Sequence, residues 1–139
     1  MPYRQLLRNA LALVLGVLIG GAINMMIVVL GPNIIPPPDG VDVTDMESIR
    51  NSMNLFAPKH FITPFVAHAG GTLAGSVIAS VSSVSHRSAI GYSIGAIFLM
   101  GGISAFFMIP APAWFIVLDL LGAYIPMAWL GIQLGQRIR

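Results

Sequence analysis

The sequence predicts an all-α, multi-pass membrane protein. It reads as a four-helix transmembrane bundle with one ordered extracytoplasmic loop that carries a short amphipathic helix. Three observations predict this. Of 139 residues, 56% are hydrophobic and only 9% charged, with a mean hydropathy of +0.85. A soluble domain is about a quarter charged, and so few charges cannot cover a globule of 14.8 kDa. Four apolar stretches are each long enough to cross a hydrocarbon core, which takes about 20 helical residues. The basic residues gather at the ends of those stretches. Disorder would need low hydrophobicity and high charge, the reverse of this composition.

The first apolar stretch covers residues 10–30, the second 61–84, the third 88–109 and the fourth 113–134. None contains Arg, Lys or Glu, and His68 and Asp119 are their only ionisable residues. In lipid, backbone groups must bond within their own segment, so each stretch is expected to be one helix. The first is too long for the apolar region of a signal peptide, and no A-x-A-like cleavage site follows it. The whole chain, residues 1–139, reads as a single membrane domain.

Charge sets the expected orientation. Arg4 and Arg8 precede the first stretch, His86 and Arg87 lie between the second and third, and Arg137 and Arg139 follow the fourth. These positions share one side of a four-pass protein. They hold five of the seven basic residues and no acid, whereas the other side holds Asp39, Asp42, Asp45 and Glu47 against Arg50 and Lys59. The positive-inside rule then puts both termini in the cytoplasm, in a plasma membrane or bacterial inner membrane. The sequence pI of about 9.5 does not imply nucleic-acid binding, because the net charge is only +2 and the basic residues flank membrane spans. Trp114 and Trp129 are placed as an aromatic belt near opposite ends of the fourth span.

Residues 31–60 form the one long connection. Pro36, Pro37 and Pro38 favour polyproline II, and Asp39-Gly40 is a turn signal. Thr44 to Glu47 reads as a capping box with Thr44 at the N-cap and Glu47 reaching back. Met46, Ile49, Met53 and Phe56 then recur at three- and four-residue steps and predict one apolar stripe, ended by Pro58. Such a helix lies on the outer membrane surface or over the mouth of the bundle. Lys59 and His60, at the outer start of the second span, are candidates for contact with lipid phosphate or for simple interfacial anchoring.

Small residues mark every span. Gly16, Gly20 and Gly21 lie in the first, and Ala67, Gly71 and Gly75 in the second; Gly91 and Gly95 lie in the third, and Gly122, Gly131 and Gly135 in the fourth. Close backbone approach drives helix association in lipid, so Gly20, Gly71, Gly75, Gly95 and Gly122 are expected at helix contacts. On each of the first, second and fourth spans the polar residue shares the small-residue face. Asn24, His68 with Thr72, and Asp119 also fall roughly 10 Å below the outer boundary at 1.5 Å per residue. They are predicted to form one intramembrane polar layer, with Gly101, Gly102 and Ser104 of the third span near its level. A charged Asp at a helix centre costs about 2.5–3.5 kcal/mol and marks a functional site by default.

The chemistry available is narrow. No cysteine is present, which removes thiolate catalysis, disulfides and thiolate metal sites. His68 and Asp119 supply two metal ligands where zinc takes three or four, so neither metal nor other cofactor is expected. No G-x-S-x-G motif accompanies the histidines. The first reading is therefore a small transport or channel-like protein, oligomeric, that moves protons, ions or a small solute past Asn24, His68 and Asp119. The second is a non-catalytic accessory or assembly subunit of a larger membrane complex. The third is a membrane-embedded enzyme that modifies lipid. The expected partners are the bilayer and either further copies of the chain or another membrane protein, with no nucleic acid.

Overall fold

A computed structural model describes residues 2–138, so the Arg139 part of the charge pattern lies outside the described residues. Those residues are mostly helical, with turns and irregular links between the helices and no strand among them. Four helical stretches are long and apolar enough to cross a membrane: 3–33, 58–82, 87–108 and 113–138.

Helix α1 runs Pro2–Leu30, α2 Met46–Asn51, α3 Ile62–Ser82, α4 Arg87–Met108, α5 Ala113–Gly122 and α6 Ile125–Ile138. Helix α1 begins eight residues before the apolar stretch does. Residues 2–9 contain two arginines but no helix breaker after Pro2, so the hydrogen-bond ladder continues where hydropathy stops. Asn9 uses that extra turn. Buried at 8% exposure, its side chain donates to Ser85 Oγ at 2.9 Å and accepts from the Val84 amide at 3.0 Å. This amide ties the start of α1 to the α3–α4 link.

Helix α3 is central and packs against α1, α4 and α6. The α1–α3 seam is backbone on backbone. A Cβ on Gly75 would stand 2.7 Å from the Gly16 carbonyl oxygen, and one on Gly71 would stand 2.7 Å from that of Gly20. The reciprocal Cβ on Gly16 would meet Gly75 O at 2.7 Å. Four glycines at i, i+4 thus form the dry contact expected of small-xxx-small helices. On the other side of α3, a Cβ on Gly131 of α6 would stand 2.7 Å from the Leu73 carbonyl oxygen. Gly95 packs on Ala128, where an added Cβ would come within 2.7 Å. A Cβ on Gly122 would meet the Phe65 ring at 3.3 Å, tight but against a side chain rather than backbone. Outward, α1 exposes the apolar side chains of Leu11, Leu18, Met26 and Val29.

The fourth span differs from expectation. A single helix over 113–134 is replaced by α5 and α6, separated at Ala123–Tyr124. Pro126 explains the break. It has no N–H to offer the Gly122 carbonyl, and its ring crowds that same turn. The ladder resumes with Ala128 N–H donating to Tyr124 O at 2.8 Å.

The 31–60 connection also departs in detail from its reading. Pro38 to Val41 closes a turn, with Val41 N–H on the Pro38 carbonyl at 3.1 Å and Gly40 at φ +80°, which glycine adopts without strain. Asp45, not Thr44, caps α2: its carboxylate accepts from the Glu47 and Ser48 amides at 3.2 and 3.1 Å. The Thr44 hydroxyl instead donates to Asp42 Oδ1 at 2.6 Å. The α2 amides go to the Asp45 carboxylate rather than to the Thr44 hydroxyl, because a charged acceptor makes the stronger bond. Arg50 donates from its guanidinium to the Met108 carbonyl at the end of α4, fixing α2 over the helix ends.

Candidate functional site

Asp119 is the most unusual residue in the fold. It sits in α5, wholly buried at 0% exposure, with both carboxylate oxygens in use. His68 Nδ1 lies 2.9 Å from each oxygen, and Tyr124 Oη donates to Oδ2 at 3.0 Å. The His68 and Tyr124 rings stack, with centroids 5.7 Å apart and planes 27° from parallel.

The break in the fourth span makes this trio. On an unbroken α-helix, residues five apart point about 140° from each other, and the 119 and 124 side chains would diverge. The separation of α5 from α6 turns Tyr124 back onto Asp119. Tyr124 was missed in the sequence for that reason: its spacing placed it off the polar face. The signal available was Pro126 with Gly122, which together mark a helix break.

A carboxylate can only accept hydrogen bonds. With Asp119 ionised, the ring nitrogen facing it carries a proton, and a neutral His68 then keeps its lone pair on Nε2. The trio resembles in logic any carboxylate–imidazole pair in which one nitrogen is pinned so that the other can gain or lose a proton. His68 keeps 23% side-chain exposure, and its Nε2 has no hydrogen-bond partner among the described residues.

What His68 faces are two cavities, and it lines both. One, of about 370 Å³, is bounded also by Gly21, Asn24, Phe98, Gly101, Gly102 and Tyr124. Gly21 and Gly101 leave this space open: a Cβ on either would meet nothing within 4 Å. The other, of about 580 Å³, lies between α3, the end of α1, α4, α5 and the α2 segment.

The predicted layer is thus partly assembled. His68 and Asp119 are bonded directly. Asn24 borders the smaller cavity with His68, and its amide bonds to no protein group among the described residues. Thr72 does not face the cavities; fully buried, it donates to the His68 carbonyl at 2.8 Å and steadies that turn of α3. Ser104 is exposed and bonds to the Met100 carbonyl of its own helix.

The interfacial pair divides. Lys59 is exposed, whereas His60 Nδ1 accepts the Ala57 N–H at 2.8 Å and its ring packs edge-on against Phe56 at 5.6 Å. An imidazole used as a helix cap in this way is neutral at Nδ1, so the Lys59 ammonium is the cation this pair presents.

No protein-family model, curated protein or solved structure matches this chain. The site is therefore read from its own chemistry.

Proposed function

We propose that this chain is an integral membrane protein with both termini in the cytoplasm that moves protons, alone or coupled to a small solute, through the His68–Asp119 pair. The observation that carries the reading is the fully buried Asp119 bonded to His68 Nδ1, with His68 itself lining two cavities. With Nδ1 held by the carboxylate, Nε2 is the nitrogen left to exchange a proton, which is the arrangement a proton carrier needs. The broken fourth span adds support, since discontinuous helices carry the coupling sites of many secondary transporters. Intramembrane ionisable residues facing a cavity mark such pathways.

In this reading, Asn24 is the polar group that a proton-bearing water or solute meets across the smaller cavity. The acidic 31–60 segment faces outside and lies over the cavities through α2. Four helices give a narrow bundle, and we infer that copies associate through the outward face of α1, because the seam glycines are used inside the bundle.

The experiment is proton flux in liposomes with a trapped pH dye and an imposed gradient. The wild-type protein should dissipate the gradient faster than empty vesicles, and Asp119→Asn should lose that flux while keeping its fold. Equal rates for the two proteins would overturn the reading. Orientation is tested separately: cysteine at Ser48 should react with an impermeant thiol reagent from outside, and cysteine at Ser85 should not.

A further inference from the structure

The larger cavity is not needed for moving a proton. It is about 580 Å³, within the roughly 300–1,000 Å³ that small-molecule sites occupy. Its walls are apolar: Met25 of α1, Phe106 of α4 and Phe115 of α5, under a roof made by Ile49, Met53 and Phe56. Methionine side chains fit irregular chains well. The roof is tied down at both ends, by Arg50 on the Met108 carbonyl and by the Ala57–His60 cap.

Polar side chains at the wall are few: Thr44, Thr63, His60 and His68. The Thr44 hydroxyl is spent on Asp42, and His60 Nδ1 on the Ala57 amide. His68, one to two turns down α3 from the roof, lines the same space with its Nδ1 already on Asp119. With Nδ1 protonated toward Asp119, Nε2 offers a lone pair and selects a donor.

We propose that this chamber binds a single-chain, membrane-derived amphiphile whose hydroxyl head donates to His68 Nε2, with its chain lying under the α2 roof. An apolar wall with few polar groups fits that chemistry: burial of the chain gives affinity, and the hydrogen bond gives register. The inference needs the chamber and the His68 tautomer but not proton transport, so either can fail alone.

The test is photolabelling of the protein in nanodiscs with hexadecanol bearing a terminal diazirine, followed by peptide mass spectrometry. Labels should concentrate on chamber residues such as Met25, Met53 and Phe106. Unlabelled hexadecanol should compete about tenfold better than its methyl ether, which lacks the donor, as expected for an acceptor left without its partner. Ile49→Trp fills the chamber from the roof, away from the buried pair, and should abolish chamber labelling without loss of fold. Labels spread along the outward face of α1, at Leu11 and Leu18, with none enriched in the chamber would overturn the proposal. Equal competition by alcohol and ether would overturn the His68 head-group assignment.

Discussion

His60 and His68 stand eight residues apart at the start of one helical stretch and use the same ring atom in opposite ways. His60 Nδ1 accepts a backbone N–H and closes a turn. His68 Nδ1 faces a carboxylate and must donate. The first is local, set by residues three apart. The second spans 51 residues of sequence and depends on a helix break in a different span. The difference teaches that a histidine's role here is decided by what its Nδ1 meets, and that only the long-range partner leaves Nε2 poised for chemistry.

The largest effect that separates the two regions should come from Asp119→Leu. It removes the acceptor of both His68 and Tyr124 within the bundle and should cost about 3–5 kcal/mol, as breaking a buried pair does. Chemical or thermal unfolding in detergent would measure it. Asp119→Asn, which keeps an acceptor oxygen, should lose far less.

The glycine seam two turns further along α3 gives a control that sharpens the comparison. Gly75→Leu should cost about 1–3 kcal/mol or more through overpacking. Even Gly75→Ala should destabilise, because its Cβ would stand 2.7 Å from a backbone oxygen rather than a movable side chain. Gly21→Ala, facing open space, should leave the unfolding midpoint unchanged. If Gly75→Ala were as silent as Gly21→Ala, the glycine seam would not be the contact described.

At the other histidine, His60→Phe keeps the ring against Phe56 but removes the acceptor. A loss of about 1 kcal/mol is expected, the worth of one hydrogen bond, with proton flux through the Asp119 site unaffected. A loss of flux would mean that the two histidines act together.

The smallest effect is a pH dependence confined to the loop. Donation from the Thr44 hydroxyl, and next from the Thr44 amide, holds the Asp42 carboxyl below its usual 3.8. A depressed folded pKa contributes stability that is present above the unfolded value and lost as pH falls through the folded one. Hydrogen exchange of the 42–48 amides should therefore quicken below about pH 4, and Thr44→Val should move that onset upward.

The sequence revealed the spans because hydropathy and length are enough to find them, and it paired His68 with Asp119 because charge at that depth is rare. Its limits are physical. Hydropathy cannot see that residues 2–9 continue a helix, since helix propensity, not burial, decides there. The polar-face argument assumed an unbroken fourth helix, which left Tyr124 out of the layer, and it placed Thr72 in the layer although the Thr72 hydroxyl is taken by the His68 carbonyl of its own helix. Thr44 lost its cap position to a competition between two acceptors that a motif does not rank. The match of Asn24 and His68 in depth became a shared cavity rather than a bond, because the glycines between them keep the space open.

The central claim is that His68 is pinned through Nδ1 and exchanges its proton at Nε2. Nitrogen-15 NMR of histidine-labelled protein in nanodiscs reads this directly, with His60→Phe and His86→Gln to assign the three rings. The account predicts the Nδ1–H tautomer for neutral His68, the Nε2–H tautomer for His60, and a pH-dependent signal at His68 Nε2. A His68 ring with Nε2–H and a bare Nδ1 would contradict it, because Asp119 would then be the donor and the proton would rest on the carboxyl.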